Sequence, residues 1–153
     1  MANTFHQIYL QFVFAVKGRQ SFIQKENKEE LHRYITGLVQ KRKAKMLAIN
    51  CMPDHIHFFA GFHPSILISD FVKEIKVESN EFVNKKKWIG EKFSWQEGYG
   101  VFSYSQSHID RVIKYILNQE QHHQKKLFRQ EYQQLLEKFN IPFEEKYLFE
   151  FLD

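Results

Sequence analysis

The chain has 153 residues, 43% of them hydrophobic and 26% charged, which fits one globular domain over 1–153 and excludes wholesale disorder. Lys and Arg number 22 against 18 Asp and Glu; residues 136–153 hold five of the acids and two of the bases, so an acidic tail follows 135 residues carrying +7, a balance that suits a polyanionic partner. The single cysteine, Cys51, excludes a disulfide scaffold or multi-cysteine zinc finger; no run approaches the roughly 18 apolar residues of a membrane span, and polar Asn3, Thr4, His6, Gln7 and Gln11 leave no signal-peptide core, so a cytoplasmic protein with no membrane contact is expected.

Ile8, Leu10, Phe12, Phe14 and Val16 alternate with Gln7, Tyr9, Gln11 and Ala15, which predicts a strand over 7–16 with one buried face. Lys17-Gly18-Arg19-Gln20 breaks the pattern as a loop. Leu31, Tyr34, Ile35, Leu38 and Val39 predict a helix over 25–43. Two apolar runs, 45–51 and 55–62, flank the turn residues Met52-Pro53-Asp54 and predict a β-hairpin. Leu67, Phe71, Ile75 and Phe82 place a second helix over 67–83. Residues 88–100 read as a loop and 101–104 as a short strand. A long third helix is predicted over 107–128, with Ser107 as its N-cap, and helix resumes over 130–139 before Asn140-Ile141-Pro142. The order β-α-β-β-α-β-α predicts an α+β fold in which helices cover one face of an antiparallel sheet.

His55-Ile56-His57 is the sharpest local feature. On a strand, residues two apart share a face, so both imidazoles are presented to one spot, an arrangement suited to a divalent cation. The same spacing also fits two unrelated strand-end histidines. On the third helix, His108, Arg111, Tyr115, Gln119 and His122 form a polar stripe opposite the aliphatic one, which reads as a site or as a solvated face. Taken together, these residues describe a mechanism. A cation held by His55 and His57 finds a neutral oxygen in Gln119 and lies beside the Tyr115 phenol, a weak nucleophile at neutral pH whose natural electrophile is a polarised phosphodiester. Attack by tyrosine stores the energy of the broken bond in a phosphotyrosine, so strands can be cut and rejoined.

The chain resembles the single-tyrosine HUH transposases of small bacterial insertion sequences. The resemblance rests on Met52-Pro53-Asp54-His55-Ile56-His57-Phe58, on Trp95-Gln96-Glu97-Gly98-Tyr99-Gly100-Val101-Phe102-Ser103, and on Tyr115-Ile116-Leu117-Asn118-Gln119; the tail 135–148 is similar to the family's ending. It implies a ferredoxin-like fold whose C-terminal helix carries the tyrosine. It also implies Mg²⁺- or Mn²⁺-dependent transposition of single-stranded DNA with a hairpin at the element ends, and a homodimer. His55, His57 and Gln119 would be the metal ligands, and Tyr115 the nucleophile that keeps the 5′-phosphate. Lys41, Arg42, Lys43, Lys45, Lys85, Lys86, Lys87 and Arg111 are candidate DNA-backbone contacts. Phe102 and Tyr104 are candidate base-stacking residues and His122-His123 a candidate phosphate contact. The alternative is a non-catalytic hairpin-binding protein derived from such a transposase.

Overall fold

In the computed structural model, which describes residues 4–17, 22–121 and 127–144, four strands form one sheet. They are β1 (Tyr9–Ala15), β2 (Lys45–Met52), β3 (His55–Gly61) and β4 (Gly100–Tyr104), in the order β2-β3-β1-β4 with every neighbour antiparallel. The helices are α1 (Lys25–Lys41), α2 (Ile68–Lys86), α3 (Ile109–Leu117) and α4 (Phe128–Lys138). This is the expected ferredoxin-like βαββαβ arrangement, with α3 and α4 following β4.

Strand register sorts the side chains into two layers. Ile56, Phe58 and Ala60 of β3 share a face with Leu10, Phe12 and Phe14 of β1, and that face is buried by Leu31, Ile35 and Val39 of α1 and Phe71, Val72 and Ile75 of α2. The packing is aromatic: the Phe12 ring centroid lies 4.8 Å from Phe58 and 5.4 Å from Phe71, and Trp95 meets Phe14 edge-on at 4.8 Å. The opposite face presents Gln11, Val13, His55, His57, Phe59, Asn50 and Phe102. It is covered too. Val112 and Ile116 of α3 pack on Ala48 and Phe59, while Phe128, Tyr132 and Leu135 of α4 pack toward Phe102. Helices therefore lie on both faces rather than one, and β1 is buried on both sides, with Gln11 and Val13 as inaccessible as Phe12.

The tyrosine-bearing helix is shorter than the sequence predicts. A 3₁₀ turn over Gln106–His108 precedes it, so Ser107 is not its cap, and it ends at Leu117 with Asn118 as C-cap. No Gly or Pro lies between 107 and 128 to announce this stop. It comes from a distant residue: the buried Asn50 amide donates to the Ile116 carbonyl at 2.9 Å and the Leu117 carbonyl at 3.4 Å, satisfying the end of the helix from the sheet. Nor is α3 the last helix. The chain turns into α4, which ends where Asn140 takes a φ of 55° and the Ile141 N–H reaches back to the Leu136 carbonyl at 2.9 Å. The loop at 18–20, His122-His123 and the tail beyond residue 144 lie outside the described residues.

α2 runs one turn further than expected, so Lys85 and Lys86 fall in its last turn, where cations oppose the helix dipole. Gly100 has a packing reason: a Cβ there would stand 2.8 Å from the Tyr132 hydroxyl, so glycine admits the close approach of α4 to β4.

β2 is an edge strand, and α1 closes part of that edge. His32 Nε2 accepts the Cys51 backbone N–H at 2.9 Å. Burial, with Lys28 nearby, lowers the His32 pKa to about 4. As pH falls from about 6.5, the unfolded chain takes up this proton before the folded one, so stability present above that pH should decline through the window down to about 4. Urea unfolding at about pH 7 and about pH 5 should show this loss, and a smaller loss in His32→Gln.

Candidate active site

Strand alternation delivers His55 and His57 to the face beneath α3 and α4, and both are fully buried. The Pro53-Asp54 turn supports the first of them: His55 Nδ1–H donates to the Asp54 carboxylate at 2.7 Å. Burial lowers the His55 pKa despite that carboxylate, which keeps the ring neutral with its Nε2 lone pair directed inward. The ring stacks flat on Phe128 of α4, with centroids 3.8 Å apart.

His57 is held from beneath by Gln11. The Gln11 amide lies 3.1 Å from His57 Nδ1, and its Oε1 accepts the Tyr104 hydroxyl at 2.8 Å. In this arrangement the His57 hydrogen sits on Nε2 and points to Glu131 Oε1, 3.0 Å away. Turning the Gln11 amide over would place the hydrogen on Nδ1 instead, because the Tyr104 hydroxyl can accept as well as donate. That second tautomer would set the Nε2 lone pair against the Glu131 oxygen, two acceptors that a shared cation would reconcile.

Glu131 is the centre of the cluster, and it was absent from the sequence-derived set. One oxygen faces the histidines, 3.0 Å from His57 Nε2 and 3.7 Å from His55 Nε2. The other accepts a short hydrogen bond from the Tyr115 hydroxyl and a bond from Gln119 Nε2 at 3.0 Å. A carboxylate on the apolar stripe of Phe128, Tyr132, Leu135 and Leu136 was the available signal, since an acid is buried only with partners.

His55, His57 and Glu131 bring one ligand atom each to within 4.8 Å of one another, a two-nitrogen, one-oxygen set that fits a divalent cation. Gln119 is fully buried beside them. It lies past the Asn118 break rather than one turn along the tyrosine helix, so the expected ligand arrives by a different route. Tyr115 stands over the His57 ring of its own chain, edge to face at 5.8 Å. Burial raises its pKa first, and the Glu131 charge raises it further, so the phenol is held neutral.

Most of the expected DNA contacts lie elsewhere. Arg42 is engaged by α2, with Nε donating to Glu74 at 2.6 Å and Nη2 donating to Glu78. Lys86 pairs with Glu30 at 2.9 Å. Lys45 pairs in register with Gly61, six residues along β3 from His55 and so about 20 Å away. Lys41 and Lys43 flank the same end of α1; Lys85 and Lys87 lie at the end of α2, in the layer beneath the other face. Arg111 alone of the set borders Tyr115, one turn away on α3, and both line a cavity between α3 and α4. Phe102 is buried against Phe139, whereas Tyr104 is only half-buried.

The family described as "Transposase IS200 like" matches residues 4–119. The chain belongs to this family. It is therefore a DNA transposase, and the matched stretch includes His55, His57, Tyr115 and Gln119 but ends before Glu131. The ISDra2 transposase TnpA of Deinococcus radiodurans is 26% identical over 121 residues, covering 74% of this chain and 85% of that protein. Two solved structures share the fold. A candidate transposase from Deinococcus radiodurans R1 superposes with a TM-score of 0.62 at 22% identity, covering 78% of this chain and 95% of that one. A REP-associated tyrosine transposase bound to a REP hairpin gives 0.59 at 17% identity, covering 80% and 74%.

If Glu131 restrains the phenol by charge as well as by a hydrogen bond, Glu131→Gln should lower the pH at which Tyr115 ionises, while burial keeps it above the roughly 10 of a free phenol. Ultraviolet difference titration of Glu131→Gln against the double variant lacking the Tyr115 hydroxyl isolates that one transition. An unchanged or higher transition would show that the charge has no hold on the phenol.

Proposed function

We propose that this transposase cuts and rejoins single-stranded DNA at the ends of an insertion sequence, with Tyr115 as nucleophile and a 5′-phosphotyrosine intermediate. The carrying observation is that Tyr115, His57 and Gln119 meet around one buried carboxylate, Glu131, within a single chain. His55, His57 and Glu131, with Gln119 as a neutral oxygen donor, would hold Mg²⁺ or Mn²⁺, which when bound polarises a phosphate oxygen as a Lewis acid. A hairpin at the element ends is the substrate, a reading supported by the structural relative bound to a REP hairpin. The family resemblance supports a homodimer, and the single cysteine with no membrane-length apolar run supports a cytoplasmic setting.

The chain's own residues supply the rest. Asn50 fixes the end of α3 and so the height of Tyr115 above the sheet. Asp54 and Gln11 set the orientation of the two imidazoles. As the Tyr115 oxygen bonds to phosphorus, the bond from phosphorus to the 3′ oxygen breaks. The phenolic proton passes to the Glu131 oxygen that already accepts it, and the departing 3′ oxygen takes a proton from water. Rejoining is the reverse. An incoming 3′-hydroxyl loses its proton to water and displaces the tyrosine oxygen, which recovers its proton from Glu131.

Incubation with a single-stranded oligonucleotide carrying the element's end hairpin, in Mn²⁺, should give a covalent protein–DNA band on a denaturing gel. Tyr115→Phe should bind the hairpin and give none. His57→Ala should lose cleavage with hairpin binding largely kept, and Glu131→Gln should cleave about 10²-fold more slowly or worse. Chelation should stop the reaction, and fully paired duplex should remain uncut. Adduct of normal yield in Tyr115→Phe overturns the assignment of the nucleophile.

A further inference from the structure

We propose that the cavity beside Tyr115 is a nucleotide pocket, which receives the base and phosphate of one DNA residue flanking the cut. This rests on the transposase reading above and names where that substrate is gripped. The cavity lies between β4, the start of α3 and the end of α4, and its volume of about 360 Å³ is in the range of small-molecule sites. Its floor is apolar, from Val112 and Leu135, and Tyr115 forms the wall nearest the histidines. His108, Arg111 and Lys138 complete the lining, and among the described residues no carboxylate belongs to it.

Tyr104 supplies the remaining wall as a fixed aromatic platform. Its hydroxyl is tied to Gln11 at 2.8 Å, and its ring is braced edge-on by Phe59 at 5.8 Å and Phe139 at 5.3 Å. The ring already attracts a cation, with Lys138 Nζ 5.7 Å from its centroid. Arg42 and Lys86 are neutralised by glutamates, whereas neither Arg111 nor Lys138 has an ion-pair partner among the described residues.

The combination selects the ligand. A bare phosphate would leave Tyr104, Val112 and Leu135 unused, and an apolar ligand would have no use for Arg111 and Lys138. A deoxynucleotide uses both, through a flat base against the tyrosine ring and an anionic group between the two cations. The pocket adjoins the nucleophile, so a residue held there places its phosphate at the Tyr115 side of the cavity.

The test uses binding, so that it does not depend on turnover. The full-length Tyr115→Phe protein is titrated by NMR with deoxyadenosine 5′-monophosphate, and in parallel with deoxyribose 5-phosphate. The nucleotide should shift the Val112 and Leu135 methyl signals and the Tyr104 ring, and should bind at least about tenfold more tightly than the sugar phosphate. Adding Arg111→Ala, an exposed position, should weaken both ligands. Tyr104→Phe should keep the preference for the nucleotide, because the ring remains, and Tyr104→Ala should remove it. Equal binding of the two ligands, shifts located elsewhere, or indifference to Arg111→Ala would overturn the pocket. Nucleotide binding here without covalent adduct formation by the wild-type protein would instead count against Tyr115 chemistry and leave the pocket standing.

Discussion

The Glu131 carboxylate is the interaction around which the upper half of the molecule is arranged. A buried anion must be met by donors, and this one is met by a phenol, a carboxamide and an imidazole from three different segments. Each of those groups would be costly to bury alone. Their common acceptor lets α3, the segment after it, and β3 close on one point without bulk water. The carboxylate also explains why the phenol is quiescent: it accepts the hydroxyl hydrogen while opposing the formation of a second negative charge.

Much of this was legible in the chain. The two-residue period of β3 placed His55 and His57 together, and the helical stripe brought Arg111 and Tyr115 to a common surface. Both inferences depend only on local geometry, which a sequence encodes directly. Three features depended on contacts between distant segments and could not be read that way. Gln11 occupies a position that alternation assigns to an open face, yet α3 and α4 cover it, and its burial is compensated by His57 and Tyr104. The stop after Leu117 is imposed by Asn50, from 66 residues earlier in the chain. Glu131 lies on the apolar stripe of its helix, which signals a partnered acid, but the partners it meets appear only once α4 is folded back over the sheet.

The basic clusters illustrate the converse. Lys41-Arg42-Lys43 and Lys85-Lys86-Lys87 stand out in the sequence because their charges are consecutive, but Arg42 is bound to α2 and Lys86 to α1. Arg111 stands out far less as a single charge one helical turn from Tyr115, and only the fold closes a cavity over the pair. Charge density along a chain and charge density on a surface are different quantities.

The Met52–His55 turn contains only Pro53 and Asp54, and it fixes how β3 lies against β2 and β1. His55 and His57 alternate with Ile56 and Phe58 on the same seven-residue strand, with imidazoles above and aromatic packing below. The chain therefore has no neutral insertion or deletion at this turn. One residue gained or lost there would rotate the strand by half a period. Both imidazoles would then enter the phenylalanine layer, and Ile56 and Phe58 would face the tyrosine, so the length of that turn is as much a part of the proposed site as the histidines themselves.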